Sequence, residues 1–159
     1  MAQARTSSVQ LLLSIFCVVW AADVFAYFCG KALGGRIIRR KLAPAVSPGK
    51  SWEGAIGGML GVFLLAWVWM QLEQTYQWPG QSLFTQMMSH GIFLWALSLV
   101  FLTTMSVVGD LVESLVKRSA GVKDSSNLLP GHGGVLDRLD ALLPSLPIAL
   151  MLLNWPIPS

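Results

Sequence analysis

Apolar residues in this chain gather into long unbroken runs, not into the short alternations of a half-buried soluble fold. The first extends from about Val9 to Cys29 and is interrupted only by Asp23; the second covers about Ala55 to Met70 and the third about Gly91 to Gly109. A fourth, about 141–156, rests on Leu142, Leu143, Leu146, Ile148, Leu150, Met151 and Leu152, and its Pro144, Pro147 and Pro156 predict a kink. About 20 consecutive apolar residues carry a helix across a bilayer. The pattern therefore predicts an all-α integral membrane protein of about four transmembrane helices, folded as a single membrane domain over residues 1–159.

Composition strengthens that expectation. Only 12% of residues are charged and 54% are hydrophobic, against about 25% charged in an ordinary soluble domain. The net charge of +3 matters less than its placement. Lys31, Arg36, Arg39, Arg40, Lys41 and Lys50 lie between the first two spans, and Lys117, Arg118, Lys123 and Arg138 between the last two, whereas the loop from Gln71 to His90 has no Lys or Arg. Positive residues collect in cytoplasmic loops, so both basic loops are expected in the cytoplasm and the N-terminus outside. Cys17 and Cys29 fall in the first apolar run, where a thiol behaves as a small hydrophobe. Asp23 with the following Tyr27 and Phe28 makes a poor signal-peptide cleavage site, so the first run is retained as a span.

Ionisable groups at a membrane are costly unless paired or facing water, and they mark function. Asp23, late in the first span, and Asp110, where the third emerges, face the same compartment. Asp110, Ser114, Lys117 and Arg118 are spaced i, i+4, i+7 and i+8, which puts an acid, a hydroxyl and two cations along one face of a helix continuing past the membrane surface. An ordinary interfacial helix touching lipid headgroups would look the same. Downstream, Lys123, Asp124, Gly131, His132, Gly133, Gly134, Asp137, Arg138 and Asp140 crowd one loop. Its glycines allow backbone N–H groups to converge on an anion. Carboxylates from Asp110 and Asp137, with Asp140 nearby, suit magnesium, although first-turn acids also simply complement a helix dipole. The other basic loop carries Ser47-Pro48-Gly49-Lys50-Ser51-Trp52-Glu53-Gly54, where Ser47 as cap and Pro48 in the first turn predict a helix start that doubles as an anion site.

Residues 114–140, S-L-V-K-R-S-A-G-V-K-D-S-S-N-L-L-P-G-H-G-G-V-L-D-R-L-D, resemble the signature of the phosphatidate cytidylyltransferases, or CDP-diacylglycerol synthases. Asp23, Tyr27, Gly30 and Gly34 resemble that family's upstream D-x-x-x-Y-x-x-G pattern, and residues 47–54 its S-P-x-K-[ST]-x-E-G element. The resemblance implies a nucleotidyltransferase of phospholipid biosynthesis that joins CTP to phosphatidic acid, releasing pyrophosphate, with no nucleic-acid partner. It implies magnesium, one or two cations being left open, an often homodimeric enzyme, and a bacterial inner membrane with two polar loops forming a cytoplasm-facing active site. Asp110, Ser114, Lys117, Arg118, Lys123, Asp124 and Asp137 are the expected catalytic set, with metal on Asp110, Asp137 and Asp140. Asp23, Ser47, Lys50, Ser51, His132, Gly133, Gly134 and Arg138 are expected to bind substrate. Family members usually carry further spans before the region matching Asp23, so this chain is expected to be the C-terminal portion of a larger architecture. Competing expectations are a related CTP-dependent lipid enzyme, of polyprenol kinase or CDP-archaeol synthase type, and a non-catalytic membrane subunit.

Overall fold

The structure, a computed structural model, describes residues 2–38, 41–44, 46–78, 80–119 and 142–153. Among these residues, five helices and one small hairpin follow in the order α1 (Ala2–Leu33), β1 (Lys41–Ala43), β2 (Ser47–Ser51), α2 (Trp52–Tyr76), α3 (Leu83–Ser89), α4 (Ile92–Ser119) and α5 (Leu142–Leu153). Among the described residues three helices are long and apolar enough to cross a membrane, α1 from Val9, α2 and α4. α1 and α2 contain the first two apolar runs and α4 all of the third but Gly91, and each extends beyond its run, because helix continues into the polar flanks while hydropathy does not. The described part of the fourth run is also helical. Its described part is 12 residues with Pro147 inside, a rise of about 18 Å at 1.5 Å per residue.

Small residues set how the helices meet. Gly54, Gly57, Gly58 and Gly61 form a stripe on one face of α2, and α1 packs against it. A Cβ on Gly58 would lie 2.8 Å from the Ala22 carbonyl oxygen, and one on Gly57 would overlap the Cys29 side chain. The antiparallel backbones thus approach as closely as hydrogen side chains allow, which is how helices bind one another where lipid removes the hydrophobic drive. Cys17 and Cys29 are free thiols. Gly35, at φ +77°, ends α1 in the left-handed conformation that glycine adopts without strain.

Two elements absent from the apolar pattern complete the fold. The loop between α2 and α4 contains α3, capped by Ser82 and burying Leu83, Phe84 and Met87. The buried Ser14 hydroxyl on α1 accepts the Leu83 N–H at 3.0 Å and donates to the Leu11 carbonyl at 2.7 Å, tying α3 back onto α1. Glu73 on α2 accepts from the Ser82 N–H at 3.0 Å and from Trp69 Nε1 at 3.3 Å, closing the same end. Between the two ends of the bundle, Ile15, Val18, Ala22, Val62, Ala66, Trp95, Leu99, Leu102 and Ala149 form the core shared by α1, α2, α4 and α5. At the end away from α3 sits the antiparallel β1–β2 hairpin, with Lys41 opposite Ser51 and Ala43 opposite Ser47.

The hairpin corrects one expectation. Ser47 does not cap a helix and Pro48 is not in a first turn; both lie in β2. The cap of α2 is Ser51, whose Oγ accepts the Gly54 N–H at 3.1 Å. Ser47 and Ser51 are four residues apart and both able to cap; pairing of residues 47–51 with β1 moves the helix start to the second.

Candidate active site

Four polar side chains singled out from the sequence line one cavity of about 390 Å³ at the hairpin end of the helices: Asp23, Lys50, Ser51 and Asp110. Three chain segments bring them there. The last turns of α1 supply Asp23, Tyr27, Gly30 and Lys31; the hairpin and start of α2 supply Leu42, Lys50, Ser51 and Gly54; α4 supplies Val107 and Asp110. Ala22, Ala26, Leu42, Ala55 and Val107 make part of the wall apolar, so the cavity offers charged groups beside a hydrocarbon-like surface.

Lys50 and Asp110, 60 residues apart in sequence, form an ion pair across this cavity, with side chains 23% and 35% exposed. The two side chains are partly exposed, but the Lys50 Nζ itself is buried and held by the Asp110 carboxylate, so a ligand reaches that charge by displacing its partner. The Ser51 hydroxyl, besides capping α2, lies 3.4 Å from where a Cβ on Gly30 would be and 3.3 Å from the equivalent point on Gly34. Those two glycines let the end of α1 lie directly against the start of α2. At the rim, the Lys31 ammonium stands over the Tyr27 ring, 5.7 Å from its centroid, a cation–π arrangement.

Other expected site residues on α4 are placed differently. Asp110, Ser114, Lys117 and Arg118 do lie on one continuous helix that runs on to Ser119. Lys117 pairs with Glu113 at 2.6 Å, and the Arg118 guanidinium donates through Nε to the Val46 carbonyl, tying the end of α4 to the hairpin turn. Ser114 is half-buried on the same helix. Ser47, at the far end of β2 from Lys50, is not among the cavity residues. Lys123, Asp124, His132, Gly133, Gly134, Asp137, Arg138 and Asp140 lie outside the described residues.

Sequence reasoning missed three contributors. Glu53 is 5% exposed, and its Oε1 accepts N–H groups from Gly35 at 3.0 Å, Ile37 at 3.2 Å and Ile38 at 2.9 Å. Lys31 reads in the sequence only as one more loop charge, yet it lines the cavity. Glu113 is the partner of Lys117, and their i, i+4 spacing is the signal that could have found it. Nothing local announces the contacts of Glu53.

The donor chemistry fits a hard divalent cation in part. The Asp110 carboxylate already sits against a positive charge, the Lys50 ammonium, and carboxylate oxygens are the ligands magnesium takes. Among the described residues no three His, Cys, Asp or Glu side chains gather as a metal-binding group.

Comparison with known proteins converges on one family. The family model described as the Cytidylyltransferase family matches residues 1–155. A phosphatidate cytidylyltransferase of Haemophilus influenzae is 47% identical over 137 residues, 86% of this chain and 43% of that protein. One of Pseudomonas aeruginosa is 42% identical over 151 residues, 93% of this chain and 50% of that protein. One of Bacillus subtilis is 42% identical over 136 residues, 86% of this chain and 44% of that protein. The chain thus spans about half the length of the curated relatives it matches. With three helices able to cross a bilayer and a match over nearly its whole length, this integral membrane protein belongs to the cytidylyltransferase family.

Proposed function

We propose that the Lys50–Asp110 cavity is part of a site that converts CTP and phosphatidic acid to CDP-diacylglycerol and pyrophosphate, as the names of the bacterial relatives suggest for those proteins. The observation that carries this reading is the joining of two acids, a cation and a helix-capping hydroxyl, Asp23 from α1, Lys50 and Ser51 from β2 and Asp110 from α4, beside an apolar wall. A water-soluble polyanion and a lipid headgroup have to meet where charge and hydrocarbon adjoin, and this cavity has both.

In the reaction, a phosphate oxygen of phosphatidic acid forms a bond to the α-phosphorus of CTP. The bond from that phosphorus to the bridging oxygen breaks, and pyrophosphate leaves with the electron pair. The nucleophile is already ionised near neutral pH, so no general base is needed. The obstacle is repulsion between two anions, and catalysis comes from positioning and charge neutralisation. Asp110 would hold magnesium together with Asp137 and Asp140, supplying positive charge where phosphate oxygens gather. Lys50, exchanging its carboxylate partner for phosphate, neutralises one substrate, and the Ser51 hydroxyl offers a hydrogen bond beside it. Lys31 adds a second cation at the rim. Arg118, bound to Val46, holds the hairpin against α4, and Lys117 is kept in place by Glu113. Residues 123–140 would complete the phosphate site. The apolar wall receives the acyl chains of the lipid, and the two basic loops would set the cavity on the cytoplasmic side, in the inner membrane of a bacterium. Dimerisation, implied by the resemblance, belongs to the same proposal.

The test is product analysis with the full chain in liposomes containing phosphatidic acid. CDP-diacylglycerol and pyrophosphate are expected with CTP and magnesium, and neither after chelation. Phosphorylated lipid and CDP would instead identify a lipid kinase and reject the proposal.

A further inference from the structure

Glu53 is the only buried acid among the described residues, and the proposed chemistry does not use it. A buried carboxylate is costly unless it is well partnered. Complementing the α2 dipole would be served by an exposed acid; Glu53 turns away from water and reaches back 15 to 18 residues. Three N–H donors from the segment after α1 converge on one oxygen, Oε1, while the buried Oε2 has no hydrogen-bond partner among the described residues.

The tethered segment leads straight into the cavity wall. Ile38 lies three residues before β1, β1 carries the cavity residue Leu42, and Lys41 pairs across the hairpin with Ser51. Lys50 and Ser51 belong to the paired strand, which runs directly into α2 and Glu53. The carboxylate thus closes a ring of contacts: end of α1, hairpin, start of α2.

We propose that Glu53 is a positioning residue: by gripping the N–H groups of residues 35, 37 and 38 it fixes the β1–β2 hairpin and, through it, holds Lys50 and Ser51 at the substrate cavity. The substrate side of this inference rests on the proposed function; the geometric side does not.

The experiment compares wild type, Glu53→Ala and Glu53→Gln as full chains in lipid nanodiscs, by hydrogen exchange and by steady-state kinetics with CTP. Loss of charge-assisted hydrogen bonds of this kind corresponds to about tenfold or more. Glu53→Ala is expected to speed exchange about tenfold in residues 35–38 and also in 47–51, with α4 unchanged, and to raise KM for CTP by about tenfold with kcat within about threefold. Glu53→Gln keeps an acceptor oxygen and is expected to fall between Ala and wild type. Unchanged exchange at 47–51 in Glu53→Ala would overturn the inference, as would faster exchange there with an unaltered KM. Equal defects in Gln and Ala accompanied by opening of α4 would reduce Glu53 to a general fold contact and also overturn it. A wild-type chain that transfers nothing would defeat the proposed function, while exchange at 47–51 would still decide whether Glu53 positions the Lys50 strand.

Discussion

Asp110→Asn is expected to lower transfer of CMP to phosphatidic acid by roughly a hundredfold or more, the scale of losing a preorganised charge-stabilising group. Asn keeps the size of the side chain and removes its charge. The residue then can neither serve the proposed cation site nor balance the Lys50 ammonium. Stability should fall less than activity: the side chains are part-exposed, and such pairs contribute on the order of 1 kcal/mol, while the buried Lys50 Nζ left without its carboxylate adds to that cost. Initial rates with labelled CTP, set beside a thermal melt of the same preparation, separate the two effects. A variant that retains near-normal rates would remove Asp110 from the chemistry.

Gly58→Leu is expected to produce the largest structural loss. The Cβ alone would lie 2.8 Å from the backbone oxygen of Ala22 and 3.3 Å from the Ala26 Cβ. A backbone atom cannot swing aside as a flexible side chain can, so α1 and α2 must separate. Overpacking of this kind costs about 1–3 kcal/mol, and here it also spreads the wall formed by Ala22, Ala26 and Gly54, residues that line the cavity. Thermal unfolding in detergent should show a clearly lowered midpoint for Gly58→Leu and a smaller drop for Gly58→Ala. An unchanged midpoint for the Leu variant would mean that close approach of the helices does not hold this fold together.

The long helices were legible because lipid imposes a blunt requirement: about 20 apolar residues in a row. Asp23 and Asp110 were legible for the same reason, since an acid in such a run has to face something polar. The stretch around Lys50 could be recognised as chemically loaded, but its shape could not. A three-residue strand pairing with a five-residue strand that contains Pro48 leaves no alternating pattern, and proline beside serine imitates a helix start. The α3 helix was hidden in a loop with little charge, where Ser82 before Leu83, Phe84 and Met87 was the only cue. Glu53 shows a harder limit. In sequence it is a first-turn acid like many others, and only tertiary folding places its oxygen against Gly35, Ile37 and Ile38. Arg118 is similar, a cation whose contact with the Val46 carbonyl nothing local announces.

The central claim, that the cavity joining Lys50 and Asp110 serves nucleotidyl transfer to a lipid phosphate, is tested most directly by following isotope in the chain as purified. CTP labelled at the α-phosphate is incubated with phosphatidic acid and magnesium, in parallel with CTP labelled at the γ-phosphate, using wild type and Asp110→Asn. The account predicts α-label in the lipid and γ-label in pyrophosphate for wild type, and loss of both for the variant. Label from the γ-phosphate appearing in lipid, or α-label transfer that Asp110→Asn leaves intact, would contradict it.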